Sequence, residues 1–273
     1  MSFTTIIYER LDGVAQITLN RPARTNALNQ AMLDELCAAL DEAESDPKIR
    51  ALVVRGSGSD FSSGFDLKEQ MERSPSGLAE WEPILRKDFE TVMRFWHSPK
   101  PTIAAVRGAC LAGGFELALA CDLTIAAEDA FFGEPELKFG AGIVVMLLPW
   151  LVGAKIAKEV ILLGEDRLSA ARAHALGIVN RVVPVAELEA AAVALGRHLA
   201  AIDPDLVRRT KRAINRSVEV RGMLGALEEA LNIDLLIEGA GSPDKLRFME
   251  IARRDGLRAA LRWRDARFPK ESP

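Results

Sequence analysis

The chain has 273 residues, of which 49% are hydrophobic and 27% are charged, and this composition excludes wholesale disorder. Its formal net charge of −4 disfavours a general binder of nucleic acid or of anionic membranes, because such proteins need a basic face. The length allows one large domain, or one domain with a smaller appendage.

The N-terminal sequence lacks the basic start and long apolar run of a secretory signal, and no apolar stretch reaches membrane-spanning length. The three cysteines, Cys37, Cys110 and Cys121, stand in apolar settings without CxxC spacing, which is typical of reduced core cysteines. We therefore predict a cytoplasmic protein that does not bind membranes. The three histidines are far apart in sequence without a ligand-like spacing, so we expect no metal site.

The first elements are predicted to be strands and amphipathic helices. Apolar runs at 4–9 and 14–19 flank a Leu-Asp-Gly turn and indicate a β-hairpin. Leucines repeating at helical spacing predict a helix over 30–44. A short buried strand is expected at 50–55 and a helix at 81–97, so strands and helices alternate as in an α/β core.

The segment 102–122, TIAAVRGACLAGGFELALACD, predicts a strand, a turn of small residues and a helix with Glu116 near its start. The first N–H groups of a helix lack an intrahelical partner and carry partial positive charge, so they can hold a developing negative oxygen. The segment therefore predicts an oxyanion site with a carboxylate beside it. The alternative is that Gly113 and Gly114 only permit tight packing, and that Glu116 only complements the helix dipole.

Two further loops could complete such a site. FSSGFDL at 61–67 is a second glycine turn before a helical start, and two such turns can each give one N–H to a single oxygen. FFGEPELKFG at 131–140 presents Glu134 and Glu136 around a proline. A carboxylate pair from separate loops can act as general acid and base if one partner stays protonated. Residue chemistry leaves open whether Glu134 or Glu136 faces the pocket.

After a strand at 123–127 the pattern changes beyond Pro184. Four helical stretches, at 185–201, 204–219, 223–238 and 243–268, follow without a convincing strand between them. We divide the chain into an α/β core over 1–200 and a helical region over 201–273. Such a tail could pack across a neighbouring subunit or fold back on its own core.

Five blocks together resemble the enoyl-CoA hydratase/isomerase, or crotonase, superfamily, and most of all its hydratases. They occur in order over about 14–184, and read NALNQAMLDEL, FSSGFDLKE, KPTIAAVRGACLAGGFELALACD, FFGEPELKFG and GEDRLSAARAHALGIVNRVVP. The resemblance implies an α/β spiral of repeated β-β-α units with a C-terminal helical trimerisation region. It also implies a coenzyme A thioester as substrate, no separate cofactor, and a homotrimer or a dimer of trimers.

The positions of this chain that match the family's functional residues take the roles that the resemblance implies. The backbone N–H groups of Phe65 and Gly113 would hold the thioester oxygen. Glu116 would orient and deprotonate water, and Glu136, which the family position favours over Glu134, would donate a proton to C2. Residues expected at the substrate or coenzyme A are Arg24, Ala27, Ser63, Asp66, Leu67, Lys68, Gly114 and Ile143.

The implied activity is addition of water across the C2=C3 bond of a 2-enoyl-CoA, as in fatty acid metabolism. One loop departs from the family pattern, because 140–146 reads GAGIVVM where hydratases usually carry a glycine-rich loop. Bulky residues there should reshape the acyl and water pocket. A same-fold enzyme that catalyses double-bond isomerisation, acyl-CoA hydrolysis or carbon–carbon cleavage is therefore the second hypothesis, and a non-catalytic binding protein is the third. The lysine common after the early Arg-Pro turn is also missing, and we expect Arg24 to take its place.

Overall fold

The structure is a computed structural model that describes residues 3–268. Its strands are β1 (Ile6–Leu11), β2 (Val14–Leu19), β3 (Ala51–Gly56), β4 (Thr102–Val106), β5 (Ala109–Leu111), β6 (Leu123–Ala127), β7 (Phe131–Gly133), β8 (Leu168–Ser169) and β9 (Arg181–Val183). Its α-helices are α1 (Gln30–Ser45), α2 (Leu67–Arg73), α3 (Gly77–His97), α4 (Gly113–Ala120), α5 (Leu148–Val152), α6 (Ala154–Leu162), α7 (Ala170–Ala175), α8 (Leu188–Ala200), α9 (Pro204–Glu219), α10 (Met223–Ala240), α11 (Pro243–Asp255) and α12 (Leu257–Asp265). Short 3₁₀ turns occur at Pro22–Arg24, Glu136–Phe139 and Val185–Glu187.

The larger sheet has six strands in the order β1-β2-β3-β4-β6-β9. The first pair is antiparallel and the remaining neighbours are parallel, which requires helical crossovers between them. The predicted hairpin is confirmed, and its turn residues Asp12 and Gly13 both have positive φ, as a tight hairpin turn needs. Strand β1 begins two residues later than predicted, whereas β2 and β6 have the predicted bounds.

Both faces of this sheet are buried. Alternating residues of β3 point to opposite sides, so Leu52 and Val54 join the main core with α1 and α3, while Val53 joins a smaller cluster under α8. Helix α1 contributes Leu33 to the main core, and Asn29 caps its N-terminus by accepting a 3.1 Å hydrogen bond from Met32 N–H. The near-continuous apolar runs of the strands are therefore those of a doubly covered parallel sheet.

A second sheet of three strands, in the order β5-β7-β8, positions the loops that sequence analysis selected. Two isolated bridges, between Leu28 and Phe65 and between Ser62 and Cys110, tie the 61–67 loop to the chain before α1 and to β5. Strand β5 leads directly into α4, and β7 leads into the Glu134 turn. The glycine turns and the carboxylates are thereby gathered at one place.

The helical tail folds back on its own chain. Helix α10 packs along α3, and α11 packs against the Glu136–Phe139 turn, where the rings of Phe139 and Phe248 lie 5.2 Å apart. The prediction of one helix over 243–268 is wrong, because Gly256 adopts a φ of +86° and separates α11 from α12. The division at residue 200 stays a prediction, and residues 1–2 and 269–273 of the two regions lie outside the described residues.

Within residues 3–268, no helix combines the length and the apolar character that crossing a membrane requires.

Candidate active site

Helix α4 begins at Gly113 after a strained residue, Ala112, which has φ +55° and ψ −136°. A non-glycine residue holds such a conformation only where its surroundings enforce it, and here Ala112 N–H donates to Gly133 O at 2.9 Å. Because Gly113 is the first helical residue, its N–H has no intrahelical acceptor. The strained turn therefore fixes the direction of this N–H.

The N–H of Phe65 also takes no part in the hydrogen bonds that pair its segment with Leu28. In the bridge to Leu28, Leu28 N–H donates to Gly64 O at 2.8 Å and Asp66 N–H donates to Leu28 O at 3.0 Å. The peptide groups on either side of Phe65 make these bonds, so the N–H of Phe65 itself points away from Leu28.

The two turns that carry these N–H groups are in direct contact. A Cβ placed on Gly64, which has φ +90°, would lie 2.9 Å from Gly113 N and 2.6 Å from Ala112 Cβ. A Cβ placed on Gly113 would lie 2.5 Å from Cε2 of Phe65. Glycines at these positions let two backbone segments approach more closely than any side chain would permit. The structure thus brings Phe65 and Gly113 together, as the sequence predicted.

Three glutamates form a buried cluster beside this pair of turns. Glu116 lies in the first turn of α4, Glu134 follows β7, and Glu136 opens the 3₁₀ turn; they are 1%, 1% and 7% exposed. One carboxylate oxygen from each lies within 4.8 Å of the other two. Glu134 and Glu136 therefore both reach Glu116, and the preference for Glu136 rests on the family resemblance.

Burial dominates the electrostatics of this cluster. It raises the pKa of Glu116 to about 8, even though the N–H groups of Val144 and Val145 favour the carboxylate. Burial and the neighbouring carboxylates also raise the pKa of Glu134 and of Glu136 well above the usual range. Such close carboxyl groups cannot all be ionised near neutral pH, so the cluster holds at least one proton and can supply both an acid and a base.

The same oxygens could serve a cation. Three carboxylate oxygens at this separation are the kind of donors that Mg²⁺ or Ca²⁺ prefers. Proton sharing accounts equally for their closeness, and the sequence prediction of a metal-free site stays a prediction.

The loop that departs from the family pattern covers Glu116. Val144 N–H donates to Glu116 Oε1 at 3.0 Å, while Oε2 has no hydrogen-bond partner among residues 3–268. Ile143, predicted to contact the substrate, is 4% exposed and packs in the main core. Despite its bulky side chains, this loop still offers a backbone donor to the predicted catalytic base.

Two basic residues predicted at the coenzyme A lie at the protein surface. Arg24 and Lys68 line a cavity of about 150 Å³, together with Arg21, Asn29, Asp66, Glu69 and Glu72. Lys68 also pairs with Glu72, one helical turn away, at 3.6 Å. The structure therefore brings Arg24 and Lys68 to one place where a phosphate could meet both.

The other predicted substrate residues mostly hold backbone structure. Asp66 caps α2 by accepting from the N–H groups of Lys68 and Glu69, and it forms a 2.8 Å ion pair with Arg21. Ala27 is nearly buried and its carbonyl accepts from Arg21.

Three further predicted residues lie around the turns. Ser63 is exposed, and its N–H donates to Thr25 O at 2.9 Å. Leu67 packs half-buried against the tail, and Gly114 is buried against Ser62.

Sequence reasoning missed Asn26 and Arg21. The buried Asn26 side chain accepts from Arg21 N–H at 2.9 Å and donates to Ser57 O and Asp60 O at 2.9 and 2.8 Å. These bonds hold the early turn against the loop after β3. The only sequence signal was the RPARTNAL string itself, in which a short amide follows an Arg-Pro turn.

It also missed two buried aspartates, Asp88 on α3 and Asp234 on α10, each 2% exposed. The charge of Asp234 raises the pKa values of Glu116 and Glu136, and the charge of Glu116 raises the pKa of Asp88. A usable signal existed for Asp234, because it continues the buried stripe of Leu227 and Leu231 at helical spacing. An acid at an apolar position of an amphipathic helix is uncommon enough to be noticed.

Comparison with known proteins identifies the family of this chain. A family model described as enoyl-CoA hydratase/isomerase matches residues 9–236. An enoyl-CoA hydratase domain-containing protein 2 of Bos taurus is 40% identical over 217 residues, which cover 76% of this chain and 72% of the relative. A Mycobacterium tuberculosis protein named as a probable enoyl-CoA hydratase is 36% identical over 238 residues, with 84% and 88% coverage.

Solved structures share the fold over nearly the whole chain. The crystal structure of an enoyl-CoA hydratase/isomerase from Xanthobacter autotrophicus Py2 is 69% identical, has a TM-score of 0.97, and covers 98% of this chain and 100% of that one. The predicted fold class, an α/β crotonase-like spiral with a helical C-terminal region, is confirmed. The chain therefore belongs to the enoyl-CoA hydratase/isomerase family of enzymes that act on acyl-CoA.

Proposed function

We propose that this enzyme adds water across the C2=C3 bond of a 2-enoyl-CoA thioester. The observation that carries the proposal is the pairing of two buried carboxyl groups from separate elements, Glu116 of α4 and Glu136 of the 3₁₀ turn, next to the contacting turns of Phe65 and Gly113. A hydratase needs a base for water, an acid for C2 and donors for an enolate oxygen. This site offers all three.

Charge stabilisation is the task of the two turns. When water attacks C3, the electrons of the C2=C3 bond move through C2 onto the thioester oxygen and give an enolate. The N–H groups of Phe65 and Gly113 would hold that oxygen without reorganising, because the strained Ala112 and the glycine contacts already set their directions.

Proton transfer is the task of the glutamates. Glu116, oriented by Val144 N–H, would remove a proton from the attacking water and leave the hydroxyl on C3. Glu136 would deliver a proton to C2 as the enolate collapses. Their pKa values, raised by burial, suit a cluster that exchanges protons near neutral pH.

The reaction needs no cofactor beyond the coenzyme A carried by the substrate. Arg24 and Lys68 would meet its phosphates at the surface cavity that they share.

The assembly is a second part of the proposal, namely a homotrimer or a dimer of trimers. Helix α9 supports it, because Leu206 and Ile214 are 59% and 62% exposed in the single chain, and an unpartnered apolar face of this kind is typical of subunit contacts.

The test is incubation with 2-enoyl-CoA esters of several chain lengths, followed by loss of the conjugated thioester absorbance and mass analysis of the product. The expected product is the 3-hydroxyacyl-CoA. No loss with any ester would overturn the proposal. A shifted double bond or released free coenzyme A would instead favour isomerisation or hydrolysis, the alternatives that the bulky 140–146 loop raises.

A further inference from the structure

Helix α10 carries a buried carboxylate, Asp234, against the 140–146 loop. The residue is 2% exposed, and neither of its oxygens has a hydrogen-bond partner among residues 3–268. It approaches the loop so closely that a Cβ on Gly142 would overlap its Oδ1. The next loop residue is Ile143, which the family resemblance predicts at the substrate and which packs in the main core. Asp234 thus adjoins the loop on which the proposed acyl pocket depends.

Asp234 forms no ion pair within residues 3–268, although Lys245 lies close enough to favour its charged form. The buried Lys245 is ion-paired with Glu238, and its ammonium lies 4.2 Å from the centre of the Trp81 ring. Lys245 and the neighbouring N–H of Gly142 favour the charged form of Asp234, but burial has the larger effect and raises the pKa of Asp234 to about 7. The charge of Asp234 in turn raises the pKa values of Asp88, Glu116 and Glu136.

Packing gives no reason for an acid at this position. Leu227 and Leu231 precede it on the same buried stripe of α10, where a leucine would fill the space without a desolvation cost. Burying an unpartnered carboxylate is unfavourable, and proteins tolerate that cost mainly at functional sites. The missing partner is therefore expected on a ligand.

We propose that Asp234 accepts a hydrogen bond from a donor group, hydroxyl or amine, carried by the acyl chain beyond C3. The inference rests on the proposed function, since it names the acyl class that the same site takes. A plain alkyl chain would leave Asp234 without a hydrogen-bond donor. An anionic acyl group would be repelled by the surrounding carboxylates. A donor-bearing chain satisfies the buried oxygen and is selected for that reason.

The experiment compares the binding of matched saturated acyl-CoA thioesters, which undergo no hydration. Titration calorimetry would measure the dissociation constants of short and medium alkanoyl-CoA esters and of their ω-hydroxy and ω-amino counterparts. At one chain length or more, the wild type should bind a donor-bearing ester at least about tenfold more tightly than the alkyl ester. The arm with the larger gain identifies the donor.

Variants then assign the preference to Asp234. In Asp234→Leu the preference should fall to about one, with alkyl esters bound no more weakly than by the wild type. Asp234→Asn should keep part of the hydroxyl preference and fold with an unchanged or higher melting temperature. Glu229→Gln, which removes an exposed acid from the same helix, should change neither quantity.

Equal affinity within every matched pair, or an undiminished preference in Asp234→Leu, would overturn the inference. A lower melting temperature in both variants with unaltered preference would make Asp234 structural. Because binding is measured without turnover, the outcomes stay separate from those of the hydratase test. Hydration of alkyl enoyl esters without tighter binding of donor-bearing esters would contradict this inference alone. Tighter binding of donor-bearing esters without hydration would contradict the proposed reaction alone.

Discussion

Val144 N–H donates a 3.0 Å hydrogen bond to Oε1 of Glu116 and so joins the 140–146 loop to the first turn of α4. The loop is in turn held by the tail, because Gly142 N–H donates to Glu238 at 3.4 Å and Gly140 O accepts from Ser242 at 2.8 Å. The orientation of the proposed base therefore depends on helices that follow it by more than a hundred residues.

Removing single carboxyl groups should separate the roles within the glutamate cluster. We expect Glu116→Gln and Glu136→Gln each to lower kcat for 2-enoyl-CoA hydration by about 10²- to 10⁴-fold, because each loses one proton-transfer group. Glu134→Gln is the matched variant, because Glu134 is also buried and lies on the other side of Pro135 from Glu136, and it should lose much less. Steady-state kinetics with one enoyl ester measures all three. A large loss in Glu134→Gln with a small one in Glu136→Gln would make Glu134 the acid.

Stability should depend on pH through Glu116. Between the ordinary pKa of 4.5 and the raised value of about 8, the folded protein keeps a proton that the unfolded chain has released. The free energy of unfolding therefore falls as pH rises through this window, by up to a few kcal/mol from this group. Glu116→Gln has no such proton to lose, so its melting temperature relative to the wild type should rise with pH.

Thermal unfolding at about pH 5 and about pH 9 measures this difference. Glu128→Gln, which removes an exposed carboxylate, serves as the control. A constant gap between Glu116→Gln and the wild type across the window would contradict the raised pKa.

Gly64 is required by a close approach as well as by its backbone conformation. In Gly64→Ala the new Cβ would overlap Ala112 Cβ and crowd Gly113 N, which should displace the oxyanion donor and lower kcat by about 10²-fold or more. Gly77→Ala is the matched control, because Gly77 has φ +69° and nothing within 4 Å of its Cβ position. Both variants incur the cost of a positive φ, about 1 kcal/mol, but only the first should lose activity. Equal kinetics in the two variants would count against the turn contact.

Chelation should leave hydration unchanged. The proposed mechanism uses the glutamates as proton donors and acceptors, so treatment with EDTA followed by desalting is expected to preserve kcat and KM. Activity that disappears on chelation and returns with Mg²⁺ would assign the oxygens of Glu116, Glu134 and Glu136 to a cation instead.

Local signals were enough for most of the fold and for the identity of the site turns. Strand β4, the start of α4 and the hairpin of β1 and β2 follow from short-range patterns, because apolar periodicity and turn residues act within a few positions of the chain. The split of the last predicted helix at Gly256 was missed, since a single glycine inside a helical pattern ends the helix only when the packing on either side requires it.

The sequence by itself determined the family blocks, the two glycine turns and the presence of carboxylates at Glu116 and Glu136. Only the tertiary structure decided that Glu134 joins them, that the tail folds back over the 140–146 loop, and that Asp234 arrives there without a partner. The physical reason is the range of the interactions. Turns and helix starts are set by neighbouring residues, whereas burial and the electric field at a carboxylate come from residues far apart in the chain that packing brings together.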